Sequence, residues 1–299
     1  MALVRARALA GGRGRRDLQH SLADTEARSM RGLTLATWNI NSVRVRHPHI
    51  ARWADEAQPD VICLQEIKCQ PDQFPRKEFA AMGYPHVHVR GQKGMHGVAI
   101  ASRLPIEELD DHALCPKGEA RFQRVKIEGI EFQNFYIPAG GDEPDPEANP
   151  RFKHKLDFLD ALEAYARKRA REDADIVLVG DLNIAPREHD VWSHKQLLKV
   201  VSHTPVEVDA LGRVVSAGDF IDVARALIPE PEKLYTWWSY RNRDWRKSNR
   251  GRRLDHIWVS PSLRGAALSG GRGAFEIWEN TRDWEKPSDH APVTLRLRV

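Results

Sequence analysis

Cysteine is scarce: Cys63, Cys69 and Cys115 are the only three in 299 residues. So sparse and odd a set argues against a disulfide framework and for a reducing compartment, so a cytoplasmic location is expected. Zinc-type spacing is missing as well. Cys63 and Cys69 stand too far apart in sequence for it, His112 and Cys115 form one isolated pair, and inert buried thiols are expected. No apolar run approaches the roughly 18 residues that span a bilayer, which excludes a membrane helix and a membrane partner of that kind. Charge of one sign is also lacking. The formal net charge is +4, but residues 1–29 hold six arginines against Asp17, Asp24 and Glu26, leaving 40 basic and 39 acidic residues elsewhere. A global cationic field is therefore excluded as a basis for binding nucleic acid, and any basic footprint has to be local. Internal repeats and clear linkers are absent.

Residues 1–29 are rich in Ala, Arg and Gly, with no sustained apolar period and no signal-peptide core. A disordered extension, or translation begun upstream of a natural start at Met30, is simpler than a transit peptide. A single catalytic domain is expected over 30–299. From Leu33 onward, β-branched or alternating runs predict strands at 33–40, 60–66, 86–90, 97–102, 121–127, 130–138, 175–181, 254–260 and 291–299. Helical spacing falls at 47–58, 151–171, 189–199 and 220–228; in the longest, Leu156, Leu159, Leu162 and Ala166 share one face. Some strands follow helices and others follow strands directly, as in 121–138, so mixed sheets of the α/β (α+β) class are expected.

The chemistry lies in what ends the apolar runs. Run 33–40 carries Trp38-Asn39-Ile40 into Asn41, and 60–66 closes on Gln65-Glu66. Tyr136 lies near the end of 130–138, and Gly180-Asp181-Leu182-Asn183 follows 175–181. Asp255 opens one late strand and Ser288-Asp289-His290 precedes the last. In a mixed sheet, one strand's end and an antiparallel neighbour's start share an edge, so these groups can converge in one crevice. Singly, each is ordinary strand punctuation; Asp181 and Asn183 can form a turn with their own backbone. Together they are acids, amides, a phenol and a histidine, with no cysteine or histidine cluster. Oxygen donors of this kind suit Mg²⁺ or Mn²⁺ and not zinc. A histidine beside an acid can hold a defined tautomer near neutral pH, as phosphoryl transfer requires.

In this order the residues resemble the exonuclease III family of abasic-site endonucleases, within the endonuclease/exonuclease/phosphatase superfamily. The motifs are Trp38-Asn39-Ile40-Asn41 with Arg44 and Arg46, Leu64-Gln65-Glu66-Ile67-Lys68, Gly97-Val98-Ala99-Ile100, Tyr136-Ile137-Pro138, Gly180 to Pro186, Arg253-Leu254-Asp255 and Lys286 to Val293. The resemblance implies a four-layer sandwich, two mixed sheets face to face with helices outside. It further implies Mg²⁺, with Mn²⁺ as a substitute, at Glu66 assisted by Asn39 and Asp289. Asp181 would orient or activate water and Asn183 would hold a phosphate oxygen. His290, supported by Asp255 or Asp289, would contact the scissile phosphate, with Tyr136 beside it. Either Asp181 or His290 can be the base at this stage.

The superfamily also holds RNA and lipid phosphodiesterases, so the substrate class has to come from elsewhere. Residues 241–253 carry Arg241, Arg243, Arg246, Lys247, Arg250, Arg252 and Arg253 against Asp244, with Trp237, Trp238, Tyr240 and Trp245 within or beside them. Phosphate contacts position a strand and rings fill space opened in the base stack. Double-stranded DNA with abasic sites or 3′ ends is thus the expected partner, met by Arg44, Trp237, Trp238, Tyr240, Arg252, Arg253 and Leu254. Trp237 takes the place that lines the family's pocket for a flipped, base-less sugar. No obligate protein partner is expected, since a monomer suffices to nick DNA. A catalytically inactive DNA-binding module would have lost Glu66, Asp181, Asn183 or His290, and all four are present. Compared with the family's pattern, Ala139 replaces a polar amide, Arg252 replaces an apolar pocket wall, and Ser42 replaces a glycine with little expected consequence.

Overall fold

The computed structural model describes residues 32–110, 114–172, 174–242 and 244–298; the expected extension at 1–29, His112 and Arg243 lie outside these. The first sheet is built from β1 (Leu33–Asn39), β2 (Val61–Gln65), β3 (His86–Arg90) and β4 (Val98–Ser102), joined late in the chain by β13 (Phe275–Ile277) and β14 (Val293–Leu297). The second holds β5 (Glu107–Glu108), β6 (Phe122–Ile127), β7 (Ile130–Tyr136), β8 (Ile176–Asp181), β9 (Ile221–Asp222) and β12 (Asp255–Val259). A ribbon of β10 (Trp237–Trp238) and β11 (Gly251–Arg252) stands apart. Strand order is β13-β14-β1-β2-β4-β3 in the first sheet and β5-β6-β7-β8-β12-β9 in the second. Each has one parallel pair, β1 with β2 and β7 with β8, among antiparallel ones. The expected mixed topology is present in both.

The helices are α1 (Val43–Ala57), α2 (Arg76–Ala81), α3 (Pro150–Arg169), α4 (His194–Leu197), α5 (Pro205–Gly218), α6 (Val223–Leu227), α7 (Trp245–Ser248) and α8 (Arg264–Leu268). Between the sheets, Leu35, Val61 and Ile100 meet Phe132, Val177 and Ile257 in one core. Phe158, Leu159 and Leu162 of α3 and Leu211 and Val214 of α5 cover the outer face of the second sheet. Ile50 and Trp53 of α1 and Phe79 of α2 cover the first. Helix, sheet, sheet, helix is the four-layer arrangement expected from the sequence.

One expectation needs correction. The helix foreseen at 189–199 is a single turn at Glu188–Asp190 followed by the short α4. Its middle is pulled extended because Val191 bridges Arg252 and the Trp192 amide donates to the Gly251 carbonyl. In its place α5 follows a few residues later, announced by Thr204, Pro205 and Glu207. Glu207 Oε1 accepts from the Thr204 amide at 3.0 Å, which closes a capping box, and Pro205 opens the helix.

Within the apolar interior runs a layer of amides. Gln65 donates to Asn134 Oδ1 across the sheets at 2.7 Å, and Asn134 Nδ2 donates to the Leu64 and Ala99 carbonyls at 3.0 Å each. All four residues are buried. Hydrogen bonds between buried amides favour one relative position of the parts they join, although Gln65 Oε1 itself has no partner.

Candidate active site

Strand register carries the expected residues to one edge. Asp181 of β8 pairs with Asp255 of β12, and Tyr136 of β7 pairs with Asp181 on the other side. In the facing sheet Asn39 pairs with Gln65, which puts Glu66 one step beyond. Gly180 makes the approach to Asp181 possible: its φ is +142°, and a Cβ there would stand 1.9 Å from the Phe135 carbonyl oxygen. Beyond the strand ends, Asn41, Glu66, Lys68 and Asn183 all have φ between 48° and 53°. Left-handed backbone at four non-glycine residues around one crevice is strain held in place by the surrounding packing. Ser42 adds to it with φ 91°, so the loss of the family's glycine has a conformational cost that sequence did not suggest.

Asn39 joins the two sheets chemically, donating through Nδ2 to Glu66 Oε1 at 3.0 Å and to Asp181 Oδ2 at 2.9 Å. Tyr136 donates its hydroxyl proton to Glu66 Oε1 at 2.8 Å. Lys68 Nζ lies 2.8 Å from Glu66 Oε2 and 2.5 Å from Asn41 Oδ1. Burial pushes the Glu66 carboxyl upward, yet Lys68, Asn39 and Tyr136 outweigh it and hold the group below its usual range. Asn183 gives its backbone N–H to Asp181 Oδ1 at 2.9 Å and its side-chain amide to Asp181 Oδ2 at 3.1 Å.

His290 Nδ1 lies 2.8 Å from Asp255 Oδ2, and its Nε2 lies 3.7 Å from Asp181 Oδ2. Asp255, not Asp289, is therefore the acid that orients the ring. Thr236, which sequence reasoning missed, donates to the same Asp255 oxygen at 2.6 Å and accepts the amides of Leu254 and Asp255. Burial alone would depress the His290 imidazole, but Asp255 and Asp181 outweigh it and raise its pKa to about 10. Burial raises Asp181 to about 7; His290 and the Asn39 amide restrain that rise, while Asp255 and Glu66 add to it. Asp289 takes a different post, accepting from Trp237 Nε1 at 2.9 Å and from Asn41 Nδ2 at 3.2 Å on the rim beside Lys68.

The expected substrate contacts separate into two groups. Arg44 and Tyr240 are exposed, and Trp237 and Arg252 are half-buried at the crevice mouth, where Trp237 bridges His290. Arg252 lies 5.3 Å over the Trp237 ring and donates to the Val201 carbonyl and to Ser202 Oγ. Trp238, Leu254 and Arg253 face the interior instead. Trp238 packs against Tyr235 and Trp245, and Leu254 packs against Ala185 and Val191. Arg253 is wholly buried, with both guanidinium edges on Asp190 and Asp222 at 2.8–3.0 Å. Its place is structural: it holds the approach to β12, and the charge that sequence assigned to a DNA surface is spent inside. Arg246 pairs with Asp283. Of the basic run, Arg241, Lys247 and Arg250 are exposed, and Arg252 is half-exposed.

Two facing mixed sheets, clasped by helices and ending in a single crevice of carboxylates, amides and one acid-paired imidazole, define a class of protein built for one site at a sandwich edge. The chain belongs to the Endonuclease/Exonuclease/phosphatase family, whose pattern matches residues 36–290. It is 31% identical over 275 residues to exodeoxyribonuclease III of Haemophilus influenzae, covering 88% of this chain and 98% of that one. Among solved structures, it matches an AP endonuclease from Archaeoglobus fulgidus with TM-score 0.79 and 34% identity, over 89% of this chain and all of the other. The 3′ phosphatase NExo from Neisseria, bound to a product DNA hairpin, matches with TM-score 0.80 and 31% identity over 89% of this chain and 99% of that one.

Proposed function

We propose that this chain is a divalent-metal-dependent DNA phosphodiesterase of base excision repair, cutting 5′ to abasic sites and clearing nucleotides or blocking groups from 3′ ends. The observation that carries this reading is the meeting of Glu66, the Asp181–Asn183 pair and the Asp255–His290 pair beside the half-buried Trp237. Relatives named for exodeoxyribonuclease, AP endonuclease and 3′ phosphatase action support phosphate chemistry on DNA as the class. Among the described residues no helix is long and apolar enough to cross a membrane.

The residues fit a hard cation. Lys68 already places a positive charge between oxygens of Glu66 and Asn41, and with its side chain 31% exposed it can withdraw to solvent. Glu66, Asn39 and Asp289 would hold Mg²⁺, or Mn²⁺ in its place. A bound ion supplies charge neutralisation at the phosphate oxygens and leaving group. His290 keeps its proton through neutral pH, so it serves as a cationic donor to a non-bridging oxygen. That leaves Asp181, poised near neutrality, to orient water and accept its proton. Asn183 holds the carboxylate in place through both its backbone and side-chain N–H groups, and Tyr136 fixes Glu66.

From these assignments kcat/KM should rise as pH passes about 7, where Asp181 loses its proton, and fall as His290 loses its own near about 10. A profile that stays flat through the lower limb would take the base role from Asp181. The defining experiment uses a labelled duplex with one abasic-site analogue, beside undamaged and 3′-recessed duplexes, with Mg²⁺ or EDTA. A metal-dependent nick 5′ to the lesion is expected, lost in Glu66→Ala; no cleavage of any of the three would reject the proposal.

We infer that Arg252, placed 5.3 Å over the Trp237 ring, disfavours a flipped sugar relative to a 3′ end. Arg252→Leu should shift the ratio of abasic incision to 3′ trimming upward by about tenfold, the scale of one altered pocket wall. An unchanged ratio would free Arg252 of that part.

A further inference from the structure

A second group of chemistry-bearing side chains meets beside the crevice, in the loop before β6. Cys115 and Glu119 come from that loop, and His154 from the first turns of α3. Cys115 Sγ lies 3.4 Å from His154 Nε2, and one donor atom from each of the three residues falls within 4.8 Å of the others. Cys115 and His154 are each only 6% exposed, and Glu119 is half-buried at the rim.

The separation has a chemical reading. A tetrahedral ion with metal–sulfur and metal–nitrogen bonds of about 2.3 and 2.0 Å sets its sulfur and nitrogen ligands about 3.5 Å apart. The thiol and imidazole already stand near that distance. Burial depresses the His154 imidazole, with Lys117 and Arg121 adding to the effect and Glu119 opposing it, and this direction favours the neutral form that ligates. A thiolate, an imidazole and a carboxylate make a softer set than the oxygens of the crevice, and softness is what separates zinc-like ions from Mg²⁺.

We propose that Cys115, His154 and Glu119 form a binding site for a thiolate-preferring divalent cation of the Zn²⁺ kind, with water completing its coordination. Binding releases the thiol proton to solvent and leaves a Cys115 thiolate on the ion. A nucleophilic thiol–imidazole pair is the competing use of these residues. It is disfavoured because Cys115 is buried, out of reach of a substrate. The site adjoins the crevice: Arg121, the partner of Glu119, lies 4.7 Å over the Tyr136 ring and donates to the Tyr136 carbonyl at 3.3 Å.

The test is a Co²⁺ titration of the full chain in excess Mg²⁺ and a non-thiol reductant, read by the near-ultraviolet thiolate-to-cobalt charge-transfer band. One equivalent should generate the band, Zn²⁺ should abolish it, and further Mg²⁺ should leave it unchanged. Cys115→Ser should remove it. His154→Ala should weaken Co²⁺ binding by more than the roughly 10- to 100-fold that loss of an outer partner costs. DNA cleavage by both variants, expected at the parent rate, verifies that they fold. Absence of the band, its survival in Cys115→Ser, or its displacement by Mg²⁺ would overturn the proposal.

Discussion

Asp181→Asn is expected to lower the single-turnover rate of DNA cleavage by about 10⁴-fold, the upper range for removal of a positioned general base. The substitution keeps size and shape. It leaves one oxygen to accept from Asn39 and Asn183 while turning an amide N–H₂ toward the Asn183 backbone N–H, which Asp181 Oδ1 now accepts at 2.9 Å. DNA affinity, measured by anisotropy on an uncleaved duplex, should not fall, because a carboxylate makes no attractive contact with phosphate and its neutralisation only lessens repulsion. A second signature separates loss of a base from general damage. Asp181 is one of the carboxylates that raise the His290 imidazole, so its neutralisation should move the alkaline limb of the pH profile downward. Less than a tenfold loss in rate would return the base role to His290.

The second large effect concerns stability. Lys155 and Glu207 are both fully buried, with Nζ and Oε2 2.5 Å apart, and Nζ also donates to the Asn183 carbonyl at 2.8 Å. Lys155→Met strands the Glu207 carboxylate in the interior, and breaking a buried pair in this way costs about 3–5 kcal/mol. Urea unfolding should show that loss as a lower midpoint at unchanged slope. The double variant Lys155→Met/Glu207→Gln should regain part of it, since the stranded charge is gone and the amide oxygen can still accept from Thr204. A cost below about 1 kcal/mol for the single variant would mean that water reaches the pair. Catalysis should also fall, since Asn183 loses the contact that seats its carbonyl.

Most of the site was readable in the sequence because its members stand where apolar runs stop. Asn39, Glu66, Tyr136, Asp181, Asp255 and His290 each mark a strand end or start, and strand register does the rest. What sequence could not assign were partners. Whether Asp255 or Asp289 orients His290 depends on which side of the crevice each faces, and Thr236 enters only because its amide bonds the Arg252 carbonyl just before β12, which sets its hydroxyl on Asp255. Arg253 was misread for the same reason: a basic run has no direction in sequence, and Asp190 and Asp222, which neutralise this member, lie 63 and 31 residues away. Trp238 likewise faces inward while its neighbour Trp237 faces the mouth, the alternation of any strand. Helix α5 carries Thr204 and Glu207 at capping-box spacing, but its apolar stripe is too short to stand out by period beside that of α3.

The amide layer between the sheets has a consequence for how this molecule fails. Glu66 and Asn39 extend from one sheet, and Tyr136, Asp181 and Asp255 from the other, while Gln65 and Asn134 bond across the gap one or two residues behind them. The crevice therefore works as a vernier for the mutual alignment of the two halves: a slip too small to alter helix or strand content is enough to part Asn39 from Asp181. Under rising denaturant, cleavage should disappear before circular dichroism changes.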